Sequence, residues 1–209
     1  MSNMYEAYPA TLDIDYPDHK LNRFTTFLRP IVAIPILIVL ALVSGPTLHV
    51  DSAERGIALE SGGIVAGATA LVLLFRRKYP RWWFDWNLEL LRFGNRVLAY
   101  LALMDDTYPS TDEAQSVHVE LPYPDAATGL NRWLPLVKWF LALPHVLALV
   151  FLTGAAVIAV LFAWLFILFT ARYPRGLFDF VAGVFRWHNR VIGYAIVLVT
   201  DTYPPFSLR

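Results

Sequence analysis

The sequence predicts a mainly α-helical integral membrane protein. Three observations carry that prediction: an apolar excess, long uncharged runs, and one helical pattern that occurs twice. Hydrophobic residues make up 57% of the 209 and aromatic residues 15%, with a mean hydropathy of +0.49. Soluble domains average about 45–50% apolar, so the surplus points to lipid. Lys and Arg number 17 against 17 Asp and Glu, which leaves no polyanion footprint and no nucleic-acid partner to expect. Cysteine is absent, so disulfides, thiolate nucleophiles and Cys-ligated metals are excluded. The N-terminal stretch carries Glu6, Asp13, Asp15 and Asp18 before any apolar run. That is not a cleavable signal peptide, and insertion is expected to use internal helices.

The internal repetition orders everything else. Leu21-Asn22-Arg23 returns 109 positions later as Leu130-Asn131-Arg132, and Pro35 and Gly45 match Pro144 and Gly154 at the same offset. Further on the offset is 94: the stretch from Phe75 to Trp86 faces Phe169 to Phe180, and Arg92, Asn95, Arg96 and Tyr100 face Arg186, Asn189, Arg190 and Tyr194. Each half closes on Asp-Thr-Tyr-Pro, at Asp106 to Pro109 and Asp201 to Pro204. The change of offset assigns the polar stretch Pro46 to Glu60 to the first half as an insert. Insertions are tolerated at loop tips, so Gly45 and Gly154 are expected to mark hairpin turns.

The expected organisation is an N-terminal cytoplasmic segment (1–11), a first repeat (12–109), a linker (110–117) and a second repeat (118–209). Each repeat would hold a transmembrane or re-entrant hairpin (25–75 and 133–171) and an amphipathic interfacial helix (81–104 and 176–199). The hairpin runs are nearly uncharged, and 39 residues in the second come to about twice a 30 Å hydrocarbon core as helix. The interfacial helices follow from Asp85, Glu89, Arg92 and Arg96, spaced 4, 3 and 4 on a segment otherwise rich in Trp, Phe and Leu. Such spacing puts the charges on one stripe. Alternating residues at Thr11 to Asp15 and Val117 to Leu121 predict two short cytoplasmic strands. Basic residues flank the hairpins on one side, so both termini and the linker are expected in the cytoplasm.

Tyr-Pro occurs seven times. Proline pushes the preceding residue out of helical geometry, so these pairs should mark helix boundaries near the headgroups. The pattern Tyr-Pro-Arg-x-x-Phe-Asp followed by Arg-x-x-Asn-Arg-Val is the most specific signal, kept in both halves. A functional reading makes Trp82, Trp83, Trp86, Arg92, Asn95, Arg96, Arg186, Trp187, Asn189 and Arg190 a partner- or lipid-contact surface, since guanidinium forks suit phosphate and tryptophan suits interfaces. A structural reading makes the charges a mutually paired stripe. None of the five histidines sits at a metal-ligand spacing. His145, following Pro144 inside an apolar run, is the intramembrane titratable candidate, and a single structural hydrogen bond is the plainer account of it. No catalytic residue, metal or cofactor is expected, because nucleophile elbows and phosphate loops are missing.

The stretch Leu130 to Leu208, with NRWLPLVKW, ARYPRGLFDF, RWHNRV and TDTYPPFSL, resembles the bacterial membrane family known as domain of unknown function 4389. Leu12 to Pro109 resembles a second, more divergent copy. The resemblance implies a multi-pass inner-membrane protein and supplies no catalytic residues. The preferred expectation is a non-enzymatic accessory or scaffold subunit, in contact with membrane lipids and docked on a larger membrane protein complex. A lipid or small-molecule transporter formed at the repeat interface is the alternative, and a membrane-embedded lipid enzyme the third.

Overall fold

The computed structural model describes residues 8–44, 61–76, 78–111, 113–126 and 129–209. The chain runs β1 (Thr11–Ile14), α1 (Arg23–Val32), α2 (Ile34–Ser44), α3 (Ser61–Arg76), α4 (Arg81–Leu101), β2 (Val117–Glu120), α5 (Lys138–Thr170) and α6 (Arg175–Ala195), with a short 3-10 turn at Leu134–Leu136 before α5. The Gly45 turn and the insert Pro46 to Glu60 lie outside the described residues. Asn22 starts α1 by accepting from the Phe24 and Thr25 amides, a side-chain cap of ordinary kind. Pro80 and Pro174 cap α4 and α6 in extended geometry, so these two Tyr-Pro pairs begin helices.

The expected hairpin at Thr153-Gly154 is corrected: α5 is one helix of 33 residues that passes straight through both. Glycine inside a helix costs about 1 kcal/mol relative to alanine. Opening a turn there would instead strip up to eight backbone groups of their partners in apolar surroundings. A Cβ at Gly154 would meet nothing within 4 Å, so no close approach demands the glycine. Near Pro35 the first half is interrupted, with α1 and α2 meeting at a 44° bend. It carries Pro30 as well as Pro35, whereas α5 carries Pro144 alone.

Three layers stack. The first is a ribbon in which β1 pairs antiparallel with β2, Thr11 opposite Glu120 and Ile14 opposite Val117. Its alternation buries Leu12, Ile14, Val117 and Val119 and exposes the residues between them. Those apolar side chains pack on the second layer, α4 and α6. The third layer holds the apolar helices. Ala33 and Ile36 of the α1–α2 arm pack with Phe93, Val97 and Tyr100 of α4. Helix α6 runs back along α5: Ala163 and Ile167 cluster with Phe178 and Val181 near the connection, and Ala142 and Leu149 with Trp187, Val191 and Tyr194 at the far end.

Helix α5 buries one stripe, including Ala142, Leu149, Ala156, Ala159 and Ala163, and leaves most of its circumference exposed with no charge on it. Among the described residues it is the one helix long and apolar enough by itself to cross a membrane, and α1 with α2 passes the same test as a bent pair. Helices α4 and α6 end at Leu101 and Ala195, short of the expected 104 and 199. Leu103 and Leu198 take left-handed backbone, with φ of 64° and 60°. That geometry ordinarily selects glycine. Both leucines are buried, and side-chain burial of roughly 1.5–3 kcal/mol offsets a left-handed cost of about 1–2 kcal/mol.

Candidate functional site: an apolar cleft between the two halves

Equivalent bonds tie each half to itself at matched positions. The Arg29 guanidinium, 2% exposed, pairs with Asp106 and donates to the Tyr100 and Asp105 carbonyls at 2.8 and 2.7 Å. The Lys138 ammonium, wholly buried, donates to the Thr200 carbonyl at 2.7 Å and lies 2.7 Å from Asp201. Asp106 and Asp201 also accept the backbone amides of Asn22 and Asn131. Other bonds cross between the halves. The Tyr16 hydroxyl donates to the Tyr173 carbonyl, and the Tyr123 hydroxyl to the Tyr79 carbonyl. Arg23 reaches the Phe169 carbonyl at 3.0 Å and Arg132 the Leu74 carbonyl at 2.6 Å. Burial pushes the hydroxyls of Tyr8, Tyr79 and Tyr173 well above the ordinary tyrosine range.

At the centre, α4 and α6 meet through Asn95 and Asn189, each 3% exposed. Asn95 Nδ2 donates to Asn189 Oδ1 at 2.8 Å, and Asn189 Nδ2 returns the bond to Asn95 Oδ1 at 2.7 Å. Each amide gives its second proton to the carbonyl four residues earlier, Leu91 or Phe185, at 2.8 Å. Both N–H groups of each side chain are thereby used.

Above this pair lies a cleft of about 620 Å³, walled by α2, α4, α5 and α6. Its lining is aliphatic apart from Trp86, Phe185 and a few polar side chains, Asn87, Asn95, Asn189, Thr153 and His188. Gly94 also faces it, and a Cβ there would meet nothing within 4 Å. His188 Nδ1 sits 3.1 Å from the Val184 carbonyl, which can only accept, so that nitrogen carries the proton. In the neutral imidazole its Nε2 then holds the lone pair, and this nitrogen faces Thr153 Oγ1, 3.5 Å away across the cleft wall. Among the described residues no group of three His, Asp or Glu side chains is placed to hold a metal.

The contact residues expected from sequence divide into two sets. Trp82 is 70% exposed, Trp86 is also exposed, and Trp83 stacks on Trp86 while its indole N–H donates to Thr69 at 2.9 Å. The rest are engaged inside the chain. Arg92 donates to Glu89 and the Val119 carbonyl, and Arg96 to the Ser110 carbonyl. Arg186 donates to Asp13 and the Leu12 carbonyl, and Arg190 to the Ser207 and Arg209 carbonyls. The half-buried arginines thus secure the ribbon and the segments after each helix, while Asp85, Glu89 and Asp179 are exposed. Trp187 is buried and donates to His145 Nδ1 at 3.0 Å. His145 also stacks on Phe206 with centroids 4.0 Å apart. It holds a structural hydrogen bond and lies outside the cleft lining. Sequence reasoning did not single out Asn87, Gly94 or His188 as a site. The available signal was that His188 faces Gly94 in an otherwise well-kept pattern.

The fold and cleft define a mainly helical chain with one uncovered apolar helix of bilayer-crossing length. The family described as Domain of unknown function (DUF4389) matches residues 133–207. That match lies wholly within the second half and supports the family resemblance there. No curated protein and no solved structure matches the chain.

Proposed function

We propose that this chain is a multi-pass inner-membrane protein made of two tandem copies of one unit, and that it holds a lipid-like apolar molecule in the cleft between them. The cleft carries the reading. A volume of about 620 Å³ falls inside the roughly 300–1,000 Å³ of small-molecule sites, and such sites combine apolar walls with a few placed polar groups. An apolar cavity holds water poorly and hydrocarbon well. Leu98, Val157 and Leu161 belong both to the lining and to the exposed apolar surface, so a chain can enter sideways from lipid without crossing a polar rim.

Membrane immersion is supported by α5, which would otherwise show water three-quarters of an apolar circumference. At 1.5 Å per residue it is about 50 Å long. A tilt near 40° leaves about 38 Å along the normal, inside a bilayer of about 40–45 Å with headgroups. Exposed Trp133 and Trp139 at its N-terminal end suit the interfacial belt. The paired bonds of Arg29 and Lys138, Tyr16 and Tyr123, and Asn95 and Asn189 support the duplication. The ribbon, linker and both termini are assigned to the cytoplasm.

The scaffold reading stays as the second, because Trp82 and Trp86 stand exposed as aromatic anchors of the kind that dominate interfaces. Native mass spectrometry of the protein released from nanodiscs separates the two. The lipid reading expects a retained lipid adduct in wild type that Gly94→Phe removes and Trp82→Ala, outside the cleft lining, keeps. An adduct that persists in Gly94→Phe contradicts it. A protein partner lost from pull-downs of the tryptophan variant supports the scaffold reading.

A further inference from the structure

Which lipid fits is constrained by what the wall lacks and by where its free polar groups sit. Among the described residues that line the cleft there is no Asp, Glu, Lys or Arg. The central asparagines have spent their donors on each other and on backbone. Asn87 also lines the wall and donates to the Trp83 carbonyl at 2.6 Å; the one facing pair on the wall is Thr153 and His188, set 3.5 Å apart, at the outer limit of a hydrogen bond. Thr153 lies midway along α5, about 22 Å of helix from its start. A charged head group brought to that depth would have no counter-charge, and burying it unpaired is prohibitive. A hydroxyl has what the pair asks for. It donates to the lone pair of His188 Nε2 and accepts from the Thr153 hydroxyl, whereas an ether or ketone oxygen can only accept.

We propose that the cleft selects an uncharged long-chain lipid bearing a free hydroxyl, with that hydroxyl seated between Thr153 and His188 and its chain lying along the α4–α6 groove past Gly94. This rests on the lipid-binding reading above. The phospholipid alternative leaves its head outside and uses neither polar group.

The test uses the full chain in nanodiscs with three probes that carry one photoactivatable diazirine at the same chain position: hexadecanol, its methyl ether, and hexadecyl sulfate. Hexadecanol should label the cleft faces of α4 and α6. The ether should label them about two- to tenfold less, the span set by one hydrogen bond, and the sulfate less again. Gly94→Phe should abolish labelling by all three. His188→Leu, which removes the acceptor that the alcohol alone can use, should bring hexadecanol down to the ether's level without changing the ether, whereas Thr153→Val, at an exposed α5 position and nearly isosteric, should lower both the alcohol and the ether. Equal labelling of the cleft by all three probes overturns the hydroxyl selection and leaves the lipid-binding reading standing. Failure of every probe to label the cleft overturns both.

Discussion

Removing the carboxylate of Asp201 should unfold the protein at a distinctly lower temperature. Lys138 is 0% exposed, and its ammonium has two partners, the Thr200 carbonyl and Asp201, each at 2.7 Å. Breaking a buried pair by deleting one partner costs about 3–5 kcal/mol, because the other charge stays buried. Asp201 is partly exposed, so water relieves some of the cost and about 3 kcal/mol is the working value. In a chain of this size each kcal/mol moves the melting temperature by about 2–4 °C, so Asp201→Ala should melt about 6–12 °C lower in detergent. Adding Lys138→Met should recover part of the loss, since the orphaned charge is then gone. Asp106→Ala should cost a comparable amount through Arg29, while Asp85→Ala, at the exposed Arg81 pair, should shift stability by about 0–1 kcal/mol. Thermal unfolding by circular dichroism in one mild detergent reads all four. A melting temperature for Asp201→Ala within two or so degrees of wild type would refute the buried-charge reasoning.

Three further outcomes are expected. Gly154→Ala should raise stability by about 0.8–1 kcal/mol, the helix-interior gain over glycine, measured by denaturant unfolding; a turn at that position would make the substitution neutral or harmful. Asn95→Leu should cost about 1–3 kcal/mol by stranding Asn189, and Asn95→Leu with Asn189→Leu should cost less than the single change, which a double-mutant cycle reads directly. The pH response follows from Tyr8, Tyr79 and Tyr173, whose burial raises their pKa above the ordinary tyrosine value of about 10. An acid raised on folding binds its proton more tightly in the native state, so stability should hold below about pH 10 and fall as pH rises through that value. Phenolate absorbance of these tyrosines should then appear together with unfolding, and their titration in the intact fold near the ordinary value would contradict it.

Much of the frame was legible because it depends on periodicity. Period-two alternation located β1 and β2, and the Tyr-Pro pairs at 79 and 173 with the Asp85–Arg96 stripe located α4 and α6. The misjudged turn at Gly154 came from carrying the first half's insert across to the second. Sequence matching aligns positions, yet a lone glycine without a polar loop cannot open a 33-residue apolar helix. The arginines were read as outward donors because helical spacing gives a shared face and does not say what covers it; the ribbon covers it here. Lys138 was visible only as a charge in an apolar run, since its partner Asp201 is 63 positions away. The cleft was hidden for a related reason. Its residues come from four helices, and its one local trace is His188 standing where the first half has Gly94. Leu103 and Leu198 gave no warning of left-handed backbone, because tertiary burial overrides the preference for glycine.

The most direct test of immersion is a spin-label scan along α5, made clean by the absence of cysteine. Single cysteines from residue 150 to 163 in proteoliposomes should show high oxygen access and negligible access to a water-soluble nickel chelate at Val150, Phe151, Val157, Ile158 and Leu161. Oxygen access should dip at Ala156, Ala159 and Ala163, where the helix packs on α6, with nickel access negligible there too. Nickel access rising to a maximum at Gly154 and falling symmetrically on either side would place a water-facing turn there and contradict a single immersed helix.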